Sequence, residues 1–111
     1  PVMASITNID IRVRMKTNSG GADAMRLKTF ARLGGTDLDY TSLDPDGVSF
    51  GDFNETAIAR PGGGSWAPAD LDTVEFGILE FADSADTLIV TTLFVTVTYI
   101  SPAGGMTFLI A

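Results

Sequence analysis

A chain of 111 residues, 45% of them hydrophobic, is long enough for one domain with its own core, so we expect a single domain over residues 1–111. It has no histidine and no cysteine, which excludes the Ser-His-Asp and Cys-His catalytic arrangements, the common zinc ligand sets and a disulfide framework. Seven basic and fourteen acidic residues give a net charge of -7, which argues against general nucleic-acid binding. Because no apolar run approaches the roughly 20 residues that span a bilayer, and residues 1–5 lack the features of an export signal, we expect a soluble protein with no membrane partner.

The charges are separated along the chain. Residues 1–32 hold six bases and two acids, residues 33–60 one base and six acids, and residues 61–111 six acids and no base. Such a separation favours attraction between copies of the chain or to a charged partner. It is equally typical of a sheet that solvates one face with bases and another with acids.

The N-terminal third alternates apolar and polar residues with the period of a β-strand. Residues 9–16 and 25–33 each predict a half-buried strand, and the turn sequence at residues 18–21 predicts that they form a hairpin. Facing Arg14 with Lys28 would place like charges opposite each other, which destabilises by a few tenths of a kcal/mol to ~1 kcal/mol per pair.

This hairpin is therefore the main candidate interface. Its exposed side would carry Arg12, Arg14, Lys16, Arg26, Lys28, Phe30 and Arg32. A carboxylate-rich partner would relieve the repulsion, as would a different register. A solvated face with splayed side chains and a site for phosphate or sulfated sugar are the other interpretations.

The middle of the chain is rich in turn signals. Gly34-Gly35 predicts a tight turn before a strand over residues 37–43, and residues 44–47 predict another turn before a short strand at 48–50. Residues 54–59 fit either a strand or one helical turn, and the glycine-rich stretch 61–65 predicts a flexible loop. Ser65 and Pro68 favour one short helical turn over residues 66–71.

The C-terminal third predicts strands over residues 73–81, 88–100 and 106–110. The strand at 88–100 is the longest and is apolar on both faces, which is typical of a central strand or of one covered by a neighbouring chain. About seven short strands with one helical turn predict an all-β fold, an antiparallel β-sandwich, with a small barrel as the alternative.

Other candidate sites carry weaker signals. The acids Asp37, Asp39, Asp44, Asp46 and Asp52 offer oxygen ligands for Ca²⁺, but their spacing does not fit an EF-hand and turn formation explains several of them. Paired carboxylates at 70 and 72 or 75 and 80 do not define a catalytic pair, and we predict no enzyme, no cofactor and no metal. Trp66, with Tyr40, Asp37 and Asp39, could bind a sugar, although a single Trp after a loop also fits a core position.

The run from Trp66 to Ile78, followed after one turn by a strand ending Val95-Thr96-Val97-Thr98-Tyr99, resembles the jelly-roll domains of tailed-bacteriophage virion proteins from heads and fibres. The opening strand at residues 6–14 and a glycine-bearing hairpin extend the resemblance over residues 5–101. It implies a structural or adhesive role, no catalytic residues, and packing roles for Trp66, Leu71, Phe76 and Tyr99. Related domains have further strands before the one at Ile6, so either this sandwich is shorter or a neighbour completes it.

The resemblance, together with the strand at 88–100 that is apolar on both faces, predicts that the chain assembles with other chains. We expect a capsid decoration, or cement, protein that forms a homo-oligomer, a trimer in the first instance, on the major capsid protein of a virion assembled in the host cytoplasm. The contacts would come from the basic hairpin face or from the apolar residues Phe94, Met106 and Phe108. The alternative is a carbohydrate-binding or receptor-binding module of a phage fibre or spike.

Overall fold

The computed structural model describes residues 3–17, 26–45, 48–81, 88–101 and 104–110. These residues form strands and one short 3-10 helix: β1 (Ser5–Thr17), β2 (Arg26–Leu33), β3 (Thr36–Leu43), β4 (Gly51–Glu55), the 3-10 helix (Pro68–Asp72), β5 (Glu75–Phe81), β6 (Leu88–Ser101) and β7 (Gly104–Ile110). The prediction of a mostly β protein with one short helical turn is confirmed. No helix in these ranges is both long enough and apolar enough to cross a membrane.

The strands form two antiparallel sheets. Sheet A has the order β4-β1-β6-β7, and sheet B has the order β3-β2-β5. The chain changes sheet between β1 and β2, between β3 and β4, between β4 and β5, and again between β5 and β6. Only β2–β3 and β6–β7 are consecutive strands that pair with each other.

The predicted hairpin between the first two strands is wrong. β1 pairs with β4 and β6 in sheet A, whereas β2 pairs with β3 and β5 in sheet B. The alternation was correctly interpreted for each strand, since Ile11 of β1 and Leu27 of β2 are both fully buried. Placing the strands in different sheets lets both apolar faces enter one core, and it puts their basic residues on separate outer faces.

Side chains from both sheets build that core. Its buried members are Ile9, Ile11, Val13, Met15, Leu27, Ile58, Val95 and Val97, and half-buried Tyr40, Leu43, Phe53, Trp66, Leu71 and Phe76 pack against it. β6 is hydrogen-bonded on both sides, to β1 and to β7, so its predicted central position is confirmed. The core is therefore centred on the β1–β6 pair, which presents its apolar face to sheet B.

The turns follow the sequence signals in part. Gly34 and Gly35 have φ angles of 60° and 80°, as a tight turn between β2 and β3 requires. The strand expected at residues 48–50 lies instead at Gly51–Glu55, and Val48 is 58% exposed. Residues 51–55 pair with β1, which decides between the strand and helix alternatives for the start of that segment. The expected turn at residues 46–47 lies outside the described residues.

The helical turn occurs where it was expected, but its cap differs. The 3-10 helix spans Pro68–Asp72 and its N-cap is Ala67, not Ser65. The Asp70 carboxylate accepts a hydrogen bond from the Ala67 N–H at 2.8 Å, so a side chain from inside the helix satisfies the free amide. The strand that follows begins at Glu75, two residues later than predicted.

Candidate interaction surface

Basic and aromatic side chains meet on the outer face of sheet A. Arg12, Arg14 and Lys16 occupy alternate positions of β1 and so share the face opposite the core. The Arg12 Cζ lies 4.8 Å from the centre of the Phe94 ring, and the Lys16 Nζ lies 4.8 Å from the centre of Phe50. The Arg14 Cζ lies 5.6 Å from the same Phe50 ring. These five residues are called the cation–aromatic face below.

The ring contacts hold the cations without neutralising them. Cation–π contacts at exposed sites contribute about 0.5–1 kcal/mol each and leave the positive charge facing solvent. Arg14 also forms an ion pair with Asp52, with 3.3 Å between Nη1 and Oδ1. Within the described ranges, Arg12 and Lys16 have no carboxylate at ion-pair distance. Two cations on this face are therefore available to an external anion, in a chain whose net charge is -7.

The basic residues of β2 are balanced by acids of the neighbouring elements. Arg26 pairs with Asp44 at 3.4 Å, and Arg32 makes two hydrogen bonds to Asp37, at 2.6 and 3.1 Å. The hydrogen bond from Arg32 holds the pKa of Asp37 below its usual range. Of the two expected ways to relieve repulsion between facing bases, a different strand pairing applies to this strand, because β3 lies beside β2 and supplies Asp37 to Arg32.

Phe30 lies over a glycine on the outer face of sheet B. It pairs in register with Gly77 of β5, and a Cβ added at Gly77 would lie 2.7 Å from ring carbons Cε1 and Cζ of Phe30. Leu79, 48% exposed, lies on the same face and helps to line a depression of about 250 Å³ beside Phe30, Arg32, Asp37 and Asp39. The sequence placed Phe30 among the basic residues, but the contact with Gly77 depends on a pairing that no local pattern reveals.

The two aromatic residues of the sugar-binding hypothesis hold a backbone segment. The Trp66 indole N–H donates to the Ile58 carbonyl at 2.9 Å, and the ring packs against Phe76 with 6.2 Å between centroids. The Tyr40 hydroxyl donates to the Ala59 carbonyl at 2.6 Å. Desolvation, with a smaller contribution from Glu55, raises the pKa of Tyr40 to about 12.

The four residues of that hypothesis do not share one cavity. Tyr40 and Asp39 line a shallow groove of about 410 Å³ between β3 and residues 55–59, whereas Asp37 lies in the depression beside Phe30. Trp66 lines neither of these two spaces. Since the polar groups of both aromatic residues already bind backbone carbonyls, no observation favours a sugar site built from this set.

The groove ends at a contact between the two sheets that the sequence does not signal. Glu55 of β4 accepts hydrogen bonds from the Thr41 N–H at 2.6 Å and from the Thr41 hydroxyl at 2.7 and 2.9 Å. Thr41 lies on β3, the edge strand of sheet B, so the carboxylate occupies a backbone donor that would otherwise face solvent. We call this contact the Thr41–Glu55 link.

Residues 57–58, just after β4, are hydrogen-bonded to β1. Ala57 has a φ of 50°, and its N–H donates to Asp10 Oδ1 at 2.7 Å. The Ile58 N–H donates to the Ile9 carbonyl at 2.9 Å, and the Ile58 side chain is buried in the core. Asp10, two residues before Arg12 on β1, therefore has a structural role at the end of β4.

One ion pair organises the glycine-rich loop that was expected to be flexible. Arg60 Nε and Nη2 donate to the Asp70 carboxylate at 2.9 and 3.3 Å, and Nη1 donates to the Gly63 carbonyl at 3.0 Å. Gly62, Gly63 and Gly64 all have positive φ, between 78° and 88°. The hydrogen bonds from Arg60 and then from the Ala67 amide hold the pKa of Asp70 below its usual range. The loop is thus tied to the 3-10 helix by Arg60.

The remaining candidates are distributed over the molecule. Phe94 lies on the outer face of sheet A, under Arg12. The backbone register pairs Phe108 with Val97 and Met106 with Tyr99. Among the proposed calcium ligands, Asp37, Asp44 and Asp52 form ion pairs with arginines, and Asp46 lies outside the described residues. The described ranges contain no group of three or more acidic side chains arranged to hold a metal ion.

Comparisons of the chain with protein-family models, with curated proteins and with solved structures find no match in any of the three. The function is therefore argued from the surface described above.

Proposed function

We propose that this chain is a non-enzymatic viral structural protein, a capsid decoration (cement) protein that binds the major capsid protein of a tailed bacteriophage as a homo-oligomer in the virion. The observation that carries the proposal is the cation–aromatic face. On an acidic chain it presents Arg12 and Lys16, which have no carboxylate partner among the described residues and which each lie over an aromatic ring.

The topology supports a jelly-roll-like β-sandwich. β1 pairs with β6 in one sheet and β2 pairs with β5 in the other, so an outer pair of strands encloses an inner pair along the chain. Such nested antiparallel pairs on two sheets are typical of jelly rolls. The β2–β3 pairing within sheet B departs from that pattern and makes this version a shorter one.

The chemistry of the face supports an acidic protein partner. Arg12 and Lys16 each lie over an aromatic ring, which limits the conformations they would lose on binding. A guanidinium and an ammonium group at fixed positions fit carboxylates of a partner, and charges of this kind govern association rate and specificity. Neither the groove beside Tyr40 nor the depression beside Phe30 includes a residue of this face. A charged face of this kind suits a shell surface.

The test is binding to purified shells of the phage that encodes the chain, at two salt concentrations. The double variant Arg12→Glu/Lys16→Glu should weaken occupancy at least about tenfold at low salt, with a smaller difference at high salt because exposed charges are screened. The matched control Arg26→Glu/Lys28→Glu reverses two charges on the outer face of sheet B and should bind like the wild type. Unchanged occupancy in the first variant, or equal loss in both, would overturn the proposed role of this face.

The homo-oligomer is tested separately by light scattering on the purified chain. The trimer expected from the sequence corresponds to three times the 11.7 kDa chain mass. A monomer that also fails to bind shells would remove the decoration proposal as a whole.

A further inference from the structure

The two lateral sides of the molecule differ in how their strand edges are protected. On one side β3 and β4 lie next to each other, and the Thr41–Glu55 link occupies the backbone donor of β3 at residue 41. On the other side β5 is the last strand of sheet B and β7 is the last strand of sheet A, and each is bonded to one neighbouring strand in the part of the chain that the structure describes. In an antiparallel pair every second residue directs its backbone polar groups to the partner, so about half of the β5 peptide groups point away from the sheet.

The middle of β5, from Phe76 to Leu79, carries none of the charged or proline residues that usually protect such an edge. Glu75–Phe81 contains no lysine, arginine or proline, and its two acids lie towards its ends. In the middle of the strand, Ile78 is 38% and Leu79 is 48% exposed. These are two of the four large hydrophobic residues exposed in the described ranges, and they are adjacent on the unprotected strand.

We propose that β5 is a self-association surface on which a second copy of this chain pairs antiparallel, β5 against β5, to make one continuous six-stranded sheet from two copies of sheet B. The proposal deepens the homo-oligomer part of the proposed function and rests on it, because it names the surface and the occupant. The contact is isologous and therefore two-fold, so it predicts a dimer in place of the trimer expected from the sequence.

Face matching and the overlap of the two strands select the register. Opposite residues of an antiparallel pair lie on the same face of a sheet. The register with β2 pairs Glu75 with Arg32 on the outer face and residue 80 with Leu27 on the core face. The two glutamates of β5 therefore cannot oppose each other across a face-matched two-fold contact. Centring the pair on Ile78 aligns all seven residues and places each glutamate position opposite a phenylalanine position, which avoids like-charge pairs.

The same register brings complementary shapes together. With Ile78 opposite Ile78, the exposed Leu79 of one copy lies opposite Gly77 of the other. Gly77 has no side chain, and the Phe30 ring covers it closely enough that a Cβ there would lie 2.7 Å away. Leu79 would thus occupy the space beside the glycine and contact the ring of Phe30, as aromatic residues cover glycines across strand pairs. A peptide strand from another protein could form the backbone bonds, but this side-chain match is specific to a second copy.

The experiment compares Leu79→Lys with the wild type by light scattering over a range of concentrations. Leu79 is half exposed on an outer face, so the variant should keep its fold, and far-ultraviolet circular dichroism checks this. The matched control is Val48→Lys, which changes an even more exposed apolar residue outside β5 in the same way. We expect Leu79→Lys to weaken association about a hundredfold or more and to halve the assembly mass, since two-fold symmetry puts both lysines into one contact, while Val48→Lys keeps the wild-type mass.

Amide hydrogen exchange of residues 75–81 provides a second readout that needs no variant. If β5 pairs with a second copy, the amides that point away from β2 should become protected as the concentration rises. If the wild type assembles but Leu79→Lys leaves its mass unchanged and exchange in β5 is independent of concentration, the β5 contact is wrong and the homo-oligomer stands. A wild-type monomer at all concentrations would overturn both, and shell binding by that monomer would still support the decoration role.

Discussion

Asp70 is the side chain on which the glycine-rich loop and the 3-10 helix both depend, so we expect its removal to destabilise the fold. Its carboxylate accepts two hydrogen bonds from Arg60 and one from the Ala67 amide, and the side chain is only 12% exposed. Hydrogen bonds to charged groups contribute roughly 1.5–3 kcal/mol each, and such values do not add within one network. Because Arg60 keeps its bond to the Gly63 carbonyl, we expect Asp70→Ala to cost about 2–3 kcal/mol.

The assay is chemical and thermal denaturation of three chains. For about 100 residues, each kcal/mol corresponds to roughly 4 °C, so the Tm of Asp70→Ala should fall by about 10 °C. Asp72→Ala is the matched control, because Asp72 lies in the same 3-10 helix with its side chain exposed. It should change the Tm by no more than about 2 °C, which corresponds to the ±0.5 kcal/mol typical of surface substitutions.

The pH dependence separates the ion pair from simple packing. The folded-state pKa of Asp70 lies below the value of about 3.9 expected for an unfolded chain, so its contribution is fully present above that value and is lost as the pH falls through the folded-state pKa. Between pH 5 and the acid limit, the free energy of unfolding of the wild type should therefore fall by more than that of Asp70→Ala. The control Asp72→Ala keeps Asp70 and should show the same fall as the wild type. Equal stabilities of the two variants at pH 7, or parallel acid profiles of wild type and Asp70→Ala, would refute the reasoning.

Two further predictions concern polar groups in the core. Thr29 is fully buried and its hydroxyl has no hydrogen-bond partner among the described residues, so Thr29→Val should raise the free energy of unfolding by about 1 kcal/mol in denaturant titrations. Thr17 is equally buried but is not without a partner, so Thr17→Val should not raise the free energy of unfolding. The pKa of Tyr40 is raised to about 12, so its stabilising contribution is complete below pH 10 and lost as the pH rises through 12; phenolate absorbance compared with Tyr40→Phe measures this, and titration of Tyr40 near 10 would contradict it.

The positions of the strands could be predicted from the sequence, because a half-buried strand alternates apolar and polar residues along its own length. The alternation in residues 9–16 and 25–33 placed Ile11 and Leu27 correctly inside, and Gly34-Gly35 marked a turn that only positive φ permits. Strand pairing could not be predicted in the same way. A period of two is satisfied whether β1 pairs with β2 or faces it across a core, and the choice depends on long-range contacts such as Arg14 with Asp52.

The cation–aromatic face could likewise be predicted from the sequence only in part. Arg12, Arg14 and Lys16 share a face by alternation alone, so the sequence identified them. Their aromatic partners could not be found locally, because Phe50 and Phe94 lie 34 or more positions further along the chain than Lys16 and reach β1 only through sheet pairing. Arg26 and Arg32 belonged to the predicted interface but lie in sheet B, where they form ion pairs with Asp44 and Asp37.

The strand that the sequence indicated for assembly differs from the one that the fold leaves at an exposed edge. The sequence placed the need for a neighbouring chain at residues 88–100, because that strand is apolar on both faces. In the fold its inner side chains, such as Val97, form the core, and on its outer face Phe94 lies under Arg12, so no second chain is needed there. An edge with exposed apolar residues lies instead at β5, whose short sequence gave no such signal and whose Ile78 and Leu79 are exposed at the end of sheet B. An edge is a property of strand order and not of composition, so the association surface that we propose lies on a strand whose sequence gave no sign of it.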